Sequence, residues 1–227
     1  MLSRRPDAIV VTSSHHTKAA SQLLGRSGVP VVEIWESAGQ PIDHAVGFSN
    51  IEVGRAAARH LIDLGHRRIA ALGPGQSGEA RDFRGEDRMT GFAAALREAG
   101  LADDLVVHHG EVLARAPDVE AVFAVSDISA WGALMECQRR GIRVPHDLSL
   151  MGFGDFDIGR QCVPALTTVG VDARAIGTRT GELLMTLLNG APAPQPEIVD
   201  MGFRLIPRET TAPASRRRAR KAAKGAS

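Results

Sequence analysis

Short apolar runs alternate along the chain with longer stretches in which apolar residues recur at helical spacing. Residues 8–11, 30–34, 45–48, 68–72, 121–125 and 148–153 are runs rich in Val, Ile, Leu and Ala, and each reads as a buried strand. Between them the period changes. A polar helix is predicted over 16–26, with Gly28 as its stop. Asn50 reads as an N-cap, with Ile51, Gly54, Ala58, Leu61 and Ile62 on one face and Gly65 as the stop. Further helices are expected over 87–99, before Gly100, and over 127–140, before Gly141. Ile176, Leu183, Leu184, Leu187 and Leu188 mark a late helix that Gly190 ends.

Strand–helix alternation with short connections predicts parallel sheets covered by helices on both faces, an α/β fold. Ligands of such sheets bind at the carboxyl ends of the strands. The polar positions just after each strand therefore matter most: 12–15, Trp35 and Glu36, 48–50, the loop 73–88, Ser126 and Asp127, and 154–157. Gly73, Gly75 and Gly78 match a G-x-G-x-x-G pattern after a strand. A polar stretch with a further Gly85 follows, and the apolar helix starts too late for its N-terminus to meet a pyrophosphate. The loop reads as a rim, and no cofactor is expected. The pairs His15-His16 and His108-His109 are adjacent, which is poor metal geometry, and no Cys/His spacing suggests zinc. No Ser-His-Asp elbow is recognisable, so the reading is a binding protein and not an enzyme.

Composition narrows this only where it departs from the ordinary. The 227 residues suffice for one large domain or two modest lobes. Aromatics are scarce at 4%, with no Tyr, which argues against a stacking platform for single-stranded nucleic acid. The net charge of +1 hides an asymmetry. Arg216, Arg217, Arg218, Arg220, Lys221 and Lys224 crowd the last residues, and with those six set aside the rest carries −5. The tail reads as a disordered solubilising end on a mildly acidic body. Cys137 and Cys162 are too few for a disulfide framework. No signal-peptide pattern opens the chain and no run reaches the length of a membrane span, so the expectation is a cytoplasmic protein without membrane contact.

Several segments together resemble the LacI/GalR transcriptional regulators: AARHLIDLGHRRIAAL at 57–72, RMTGFAAALREAGL at 88–101, the strand–helix–strand stretch 121–155, and PALTTVGVD at 164–172. PVVEIWES, PIDHAVGFSN, ECQRRGIRVP, GDFDIG and MGFRLIP are similar to the gluconate-repressor branch. The resemblance implies two Rossmann-like lobes of the periplasmic-binding-protein type with a small sugar or sugar-acid effector in the cleft between them. It also implies a homodimer, and operator DNA bound through a helix-turn-helix domain that this chain lacks. Residues 1–48 with 170–192 would form an N-terminal lobe short of its first strand–helix units. Residues 49–169 with 193–213 would form the other lobe, and 214–227 the basic tail. Crossings would fall near Phe48, 168–171 and 190–196. The segment 110–119 is shorter than the helix the family carries there. A stand-alone or transport-associated sugar-binding protein without DNA binding is the alternative reading.

By position, the resemblance gives Arg88 the role of effector-binding arginine, and a guanidinium fork suits a carboxylate or vicinal hydroxyls. Read on its residues alone, Arg88 fits a surface pair with Glu86 or Asp87. Phe48 reads either as a ring stacked on a sugar face or as core. Trp35 stands beside it as a candidate. Ser126 takes the place of an effector-contacting Asn. Asp127 reads as the helix cap while remaining a ligand candidate. Gly154 stands where relatives have an acid, and the carboxylates come later, at Asp155 and Asp157. An uncharged position facing Arg88 suits an anionic effector.

Overall fold

The computed structural model describes residues 6–73, 82–107, 116–189 and 196–214. The glycine pattern at 73–78 (beyond Gly73 itself), His108 and His109, most of 110–119, the connector near 191–196 and the basic tail lie outside the described residues.

The chain divides into two units, residues 1–50 with 172–203 and residues 51–171 with 204–227. The first is built on β1 (Ile9–Thr12), β2 (Val31–Ile34), β3 (His44–Gly47) and β9 (Ile198–Asp200), in the order β1-β2-β3-β9, all parallel. Helix α1 (Lys18–Gly25) connects β1 to β2, and Thr17 caps it by accepting from the Ala20 N–H. Helix α6 (Ala173–Leu188) packs on β2 and β3 through a face that includes Ile176 and Leu183. β2 and β3 are buried along most or all of their length, as a strand covered on both faces must be, whereas β1 alternates and exposes Val10. The boundary expected at residue 193 is corrected to Phe203/Arg204: β9 adds to β3 through Ala45↔Ile198, Val46↔Val199 and Gly47↔Asp200, which ties 198–200 to the first sheet.

The second unit carries six strands: β4 (Ile69–Leu72), β5 (Val106–Val107), β6 (Ala121–Ala124), β7 (Ser149–Phe153), β8 (Thr167–Gly170) and β10 (Arg204–Ile206). Their order is β10-β8-β7-β6-β4-β5, parallel except for the edge strand β10. Connections run outward from β4 to β5 and then the other way through β6, β7 and β8. The strand order thus reverses between β4 and β6, the position where ligands gather in open α/β sheets. Helices α2 (Asn50–Asp63), α3 (Phe83–Glu98), α4 (Asp127–Arg139) and the short α5 (Asp157–Gln161) complete the fold. Ala70, Val122, Ala124, Ala130, Leu134, Cys137, Leu148, Leu150 and Leu166 form a continuous core, and Phe92 of α3 stacks on Phe123 of β6 at 5.2 Å.

Two differences from the expected elements have local causes. Helix α3 starts at Phe83, ahead of the predicted 87, because Asp82 caps it by accepting from the Gly85 N–H. The short β5, β9 and β10 carry two or three residues each, too few to show a period of their own.

Candidate functional site

In the second unit the functional candidates gather at the carboxyl ends of β6 and β7. Arg88 projects from α3 and is only 5% exposed, so the surface pair with Glu86 or Asp87 is not its setting. Its guanidinium carbon lies 4.2 Å from the centre of the Phe153 ring at the end of β7, a cation–π contact, and Nη2 is 3.9 Å from Asp82. What seats Arg88 is a close crossing of α2 and α3. A methyl group at Gly54 would stand 1.9 Å from the Arg88 carbonyl oxygen, and one at Gly91 1.9 Å from that of Ile51. The two glycines let the helix backbones touch, and that contact fixes the height of Arg88 over the sheet.

Ser126 follows β6 and is the cap of α4: its hydroxyl accepts from the Ser129 N–H at 3.2 Å and lies 3.0 Å from the Ser129 hydroxyl. The cap expected of Asp127 therefore moves one residue back. Asp127 is fully buried and braces three segments. Oδ1 accepts from the Thr168 hydroxyl at 2.6 Å, and Oδ2 from the Phe156 N–H at 2.8 Å. Burial pushes its carboxyl above the usual range, with the Thr168 and Phe156 donors opposing.

The loop after β7 shows why no acid stands at 154. Gly154 has φ +128°, a conformation closed to side-chain-bearing residues, and a methyl group there would press on the Phe156 ring at 3.0 Å. Asp155 follows at φ +56° and is gripped by arginines. Arg208 donates to Oδ1, Arg160 donates to both oxygens at 3.2 and 3.0 Å, and Arg204 lies 3.9 Å from Oδ2. Burial works to raise this carboxyl, and Arg208 and Arg160 outweigh it, holding it below the usual range. Asp157 is solvent-exposed and 3.6 Å from Arg160. Nothing in the sequence pattern announced the arginine cluster, because its members come from α5, β10 and the segment after β10.

In the first unit the carboxyl ends of β2 and β3 bring Trp35 and Phe48 together. Phe48 is buried, and the half-buried Trp35 meets it edge-on at 6.2 Å and 88°. Asn50 opens α2, and its amide donates to the Trp35 carbonyl at 3.0 Å and to Glu36 Oε2 at 2.8 Å. Glu36 Oε1 accepts from the N–H groups of Ser37 and Ala38. His16, in the loop after β1, pairs with the buried Glu33 at 2.6 Å. Among the described residues no group of three His, Cys, Asp or Glu side chains is placed to hold a metal ion. Cys137 and Cys162 are free thiols, and burial pushes Cys137 up to about 11.

Residues 58–211 match the model of the periplasmic binding protein-like domain family. The chain is 35% identical to the HTH-type transcriptional regulator GntR of Pseudomonas aeruginosa, over 92% of its own length and 64% of the relative's. It thus spans less than two thirds of that regulator. Among solved structures, a LacI family transcriptional regulator from Silicibacter pomeroyi superposes with a TM-score of 0.84 at 35% identity, covering 92% of this chain and 80% of that one. The transcriptional regulator CelR in complex with cellobiose gives 0.79 at 31% identity, covering 92% and 67%. No helix among the described residues is long and apolar enough to cross a membrane.

Proposed function

The chain belongs to the periplasmic-binding-protein-like domains of the LacI-family transcriptional regulators, and on that premise we propose that it senses a small sugar acid, gluconate or a close analogue. The effector carboxylate is held by Arg88 at the carboxyl end of β7. The observation that carries this reading is the placement of Arg88: a buried guanidinium stacked on Phe153 at the ligand-bearing end of a parallel sheet. Gly154 contributes by absence, since it presents no carboxylate to repel an anion, and Asp155 is neutralised by its arginines. The likeness to a regulator solved with cellobiose supports a sugar-like ligand. Ser126, at the carboxyl end of β6 in the same unit, supplies a neutral contact. Binding changes the operator affinity of the longer regulator to the extent that the effector prefers one of its conformations. The operator itself is read by a helix-turn-helix domain outside this chain. The regulator works as a homodimer, and α4 and α5 offer a surface for it in Ile128, Trp131, Ile158 and the neighbouring Val163, all exposed.

Titration calorimetry tests the effector reading. A charge-assisted contact of this kind contributes roughly 1.5–3 kcal/mol. Arg88→Ala is therefore expected to weaken gluconate binding on the order of tenfold to a hundredfold. Arg88→Lys restores part of the loss, because an ammonium cannot form the planar fork. Glucose binding as tightly as gluconate, or an indifferent Arg88→Ala, rejects the sugar-acid reading.

A further inference from the structure

The buried carboxylate of Asp127 is held by neutral donors, the Thr168 hydroxyl on Oδ1 and the Phe156 N–H on Oδ2. Two glycines from different elements make room for it. A methyl group at Gly152 of β7 would collide with Oδ1, and one at Gly159 of α5 would stand 3.4 Å from Oδ2. Burial raises this carboxyl, and the two donors oppose the rise without cancelling it. An ionised group that the fold disfavours works against stability at neutral pH. Groups of this kind concentrate where charge or position serves a function.

What the carboxylate holds is the ligand-bearing end of β7. The loop there runs from Phe153 to Phe156. Its near side is fixed by the Gly154 N–H, which donates to the Val169 carbonyl at 2.8 Å, and its far side by the Phe156 N–H on Asp127. Phe153 opens the loop and offers the ring on which the Arg88 guanidinium rests. Asp127 also follows Ser126, the cap of α4, directly in the chain. One carboxylate thus ties Ser126, the β7 loop and β8 together. Its charge matters to that hold, because an ionised acceptor binds an N–H roughly twice as strongly as a neutral one. The bond to Thr168 can also reverse. The Thr168 hydroxyl lies 3.4 Å from the Val169 carbonyl oxygen. A protonated Asp127 can therefore donate to Thr168 Oγ1 while Thr168 turns its own hydrogen to Val169, which leaves a neutral and weaker acceptor for Phe156.

We infer that Asp127 is a positioning residue whose ionised carboxylate holds the loop after β7 in its effector-binding arrangement, and that taking up a proton there loosens the loop and weakens effector binding. It acts through Phe156 and Phe153 on Arg88. The charged and titratable groups that face it are Asp155 in the same loop, Arg160 of α5, Cys162 after α5 and Arg208 after β10. The arginines hold Asp155 below the usual carboxylate range, and burial pushes the Cys162 thiol up. Neither exchanges a proton between the ordinary carboxylate range and neutral pH. The inference rests on the sugar-acid reading above.

The test is calorimetric titration of gluconate from neutral pH down toward the ordinary carboxylate value of about 4. The affinity of the unmodified protein is expected to fall about fivefold across one step, the difference between a charged and a neutral acceptor. Asp127→Asn is fixed in the neutral form. It should bind about fivefold more weakly at neutral pH, show no such step, and lose no stability in urea denaturation, because the penalty on a buried charge is gone. Groups elsewhere that titrate act on both proteins alike, so the difference between the two profiles isolates Asp127. Thr168→Val removes a donor that favours the ionised form, and the step should move to higher pH. The Phe156 amide resonance, followed by nuclear magnetic resonance without effector, should trace the same step and stay still in Asp127→Asn. An Asp127→Asn protein that matches the original affinity at neutral pH overturns the inference. So does one that loses stability and affinity together, which would make Asp127 an ordinary core group. Gluconate binding at no pH rejects the sugar-acid reading and with it the role of Asp127 toward that effector, while an unmoving Phe156 resonance in the unmodified protein separately rejects the proton-dependent hold.

Discussion

Asp127 and Asp155 follow the neighbouring strands β6 and β7 and titrate in opposite senses. Arg208 and Arg160 depress the Asp155 carboxyl against the pull of burial. Its contribution to stability is therefore fully present above the ordinary carboxylate pKa of roughly 4 and is lost as pH falls through the depressed folded value. Asp127 is raised by burial, so its ionised form opposes folding increasingly as pH climbs from the ordinary value through the raised one. Asp155→Asn is expected to cost roughly 3 kcal/mol at neutral pH, because it leaves Arg208 beside a neutral group. Urea denaturation should show that deficit shrinking as the pH drops below about 4. A deficit constant with pH would mean that packing, not charge, is what Asp155 provides. Ser126 poses a different question, cap or ligand. Ser126→Ala should cost about 1 kcal/mol of stability and Ser126→Gly only a few tenths. If Ser126→Gly keeps the stability yet weakens effector binding in calorimetry, the hydroxyl serves both purposes.

At the scale of elements, the crossing of α2 and α3 positions the site. Gly54 and Gly91 replace side chains with backbone contact, so even one methyl group must push the helices apart. Gly54→Ala is expected to destabilise by about 1–3 kcal/mol, the range for overpacking. It should also weaken effector binding, because the atom it strikes is the Arg88 carbonyl oxygen. Denaturation and calorimetry on the same variant check both. Stability lost with affinity intact would uncouple Arg88 from the crossing. Both glycines lie within predicted helices, yet a glycine in a helix reads from sequence only as a weak point. Its purpose becomes visible once the partner helix is in place.

The whole molecule presents two surfaces that invite a second copy. One is the α4–α5 surface, where Ile128 is 63% and Val163 80% exposed. The other is the edge of β1, which pairs only with β2 among the described residues and exposes Val10. The first exposes Ile128, Trp131, Ile158 and Val163 against Val10 at the edge, so Ile128→Lys is expected to convert the proposed dimer to monomers in sedimentation equilibrium while Val10→Lys leaves it intact. The reverse result would place self-association at the sheet edge.

By itself, the sequence determined the alternation of strands and helices, the α/β class and most element positions, because buried strands and amphipathic helices carry their periodicity locally. Arg88 was singled out only by the family resemblance of 88–101, since its own neighbours suggest a surface pair. What the sequence left open depends on residues distant in sequence meeting in space. Asp127 is a cap by local grammar, and only the arrival of Thr168 from β8 makes it a buried brace. Asp155 reads as a free acid until Arg204 and Arg208 come in from β10 and the segment after it. β9 could be assigned to the first unit only by its ladder to β3, since a three-residue strand has no pattern that names its sheet. Phe48 read either as a stacking ring or as core, with Trp35 a candidate beside it. Tertiary burial separated them, by enclosing one ring in the core and leaving part of the other to solvent.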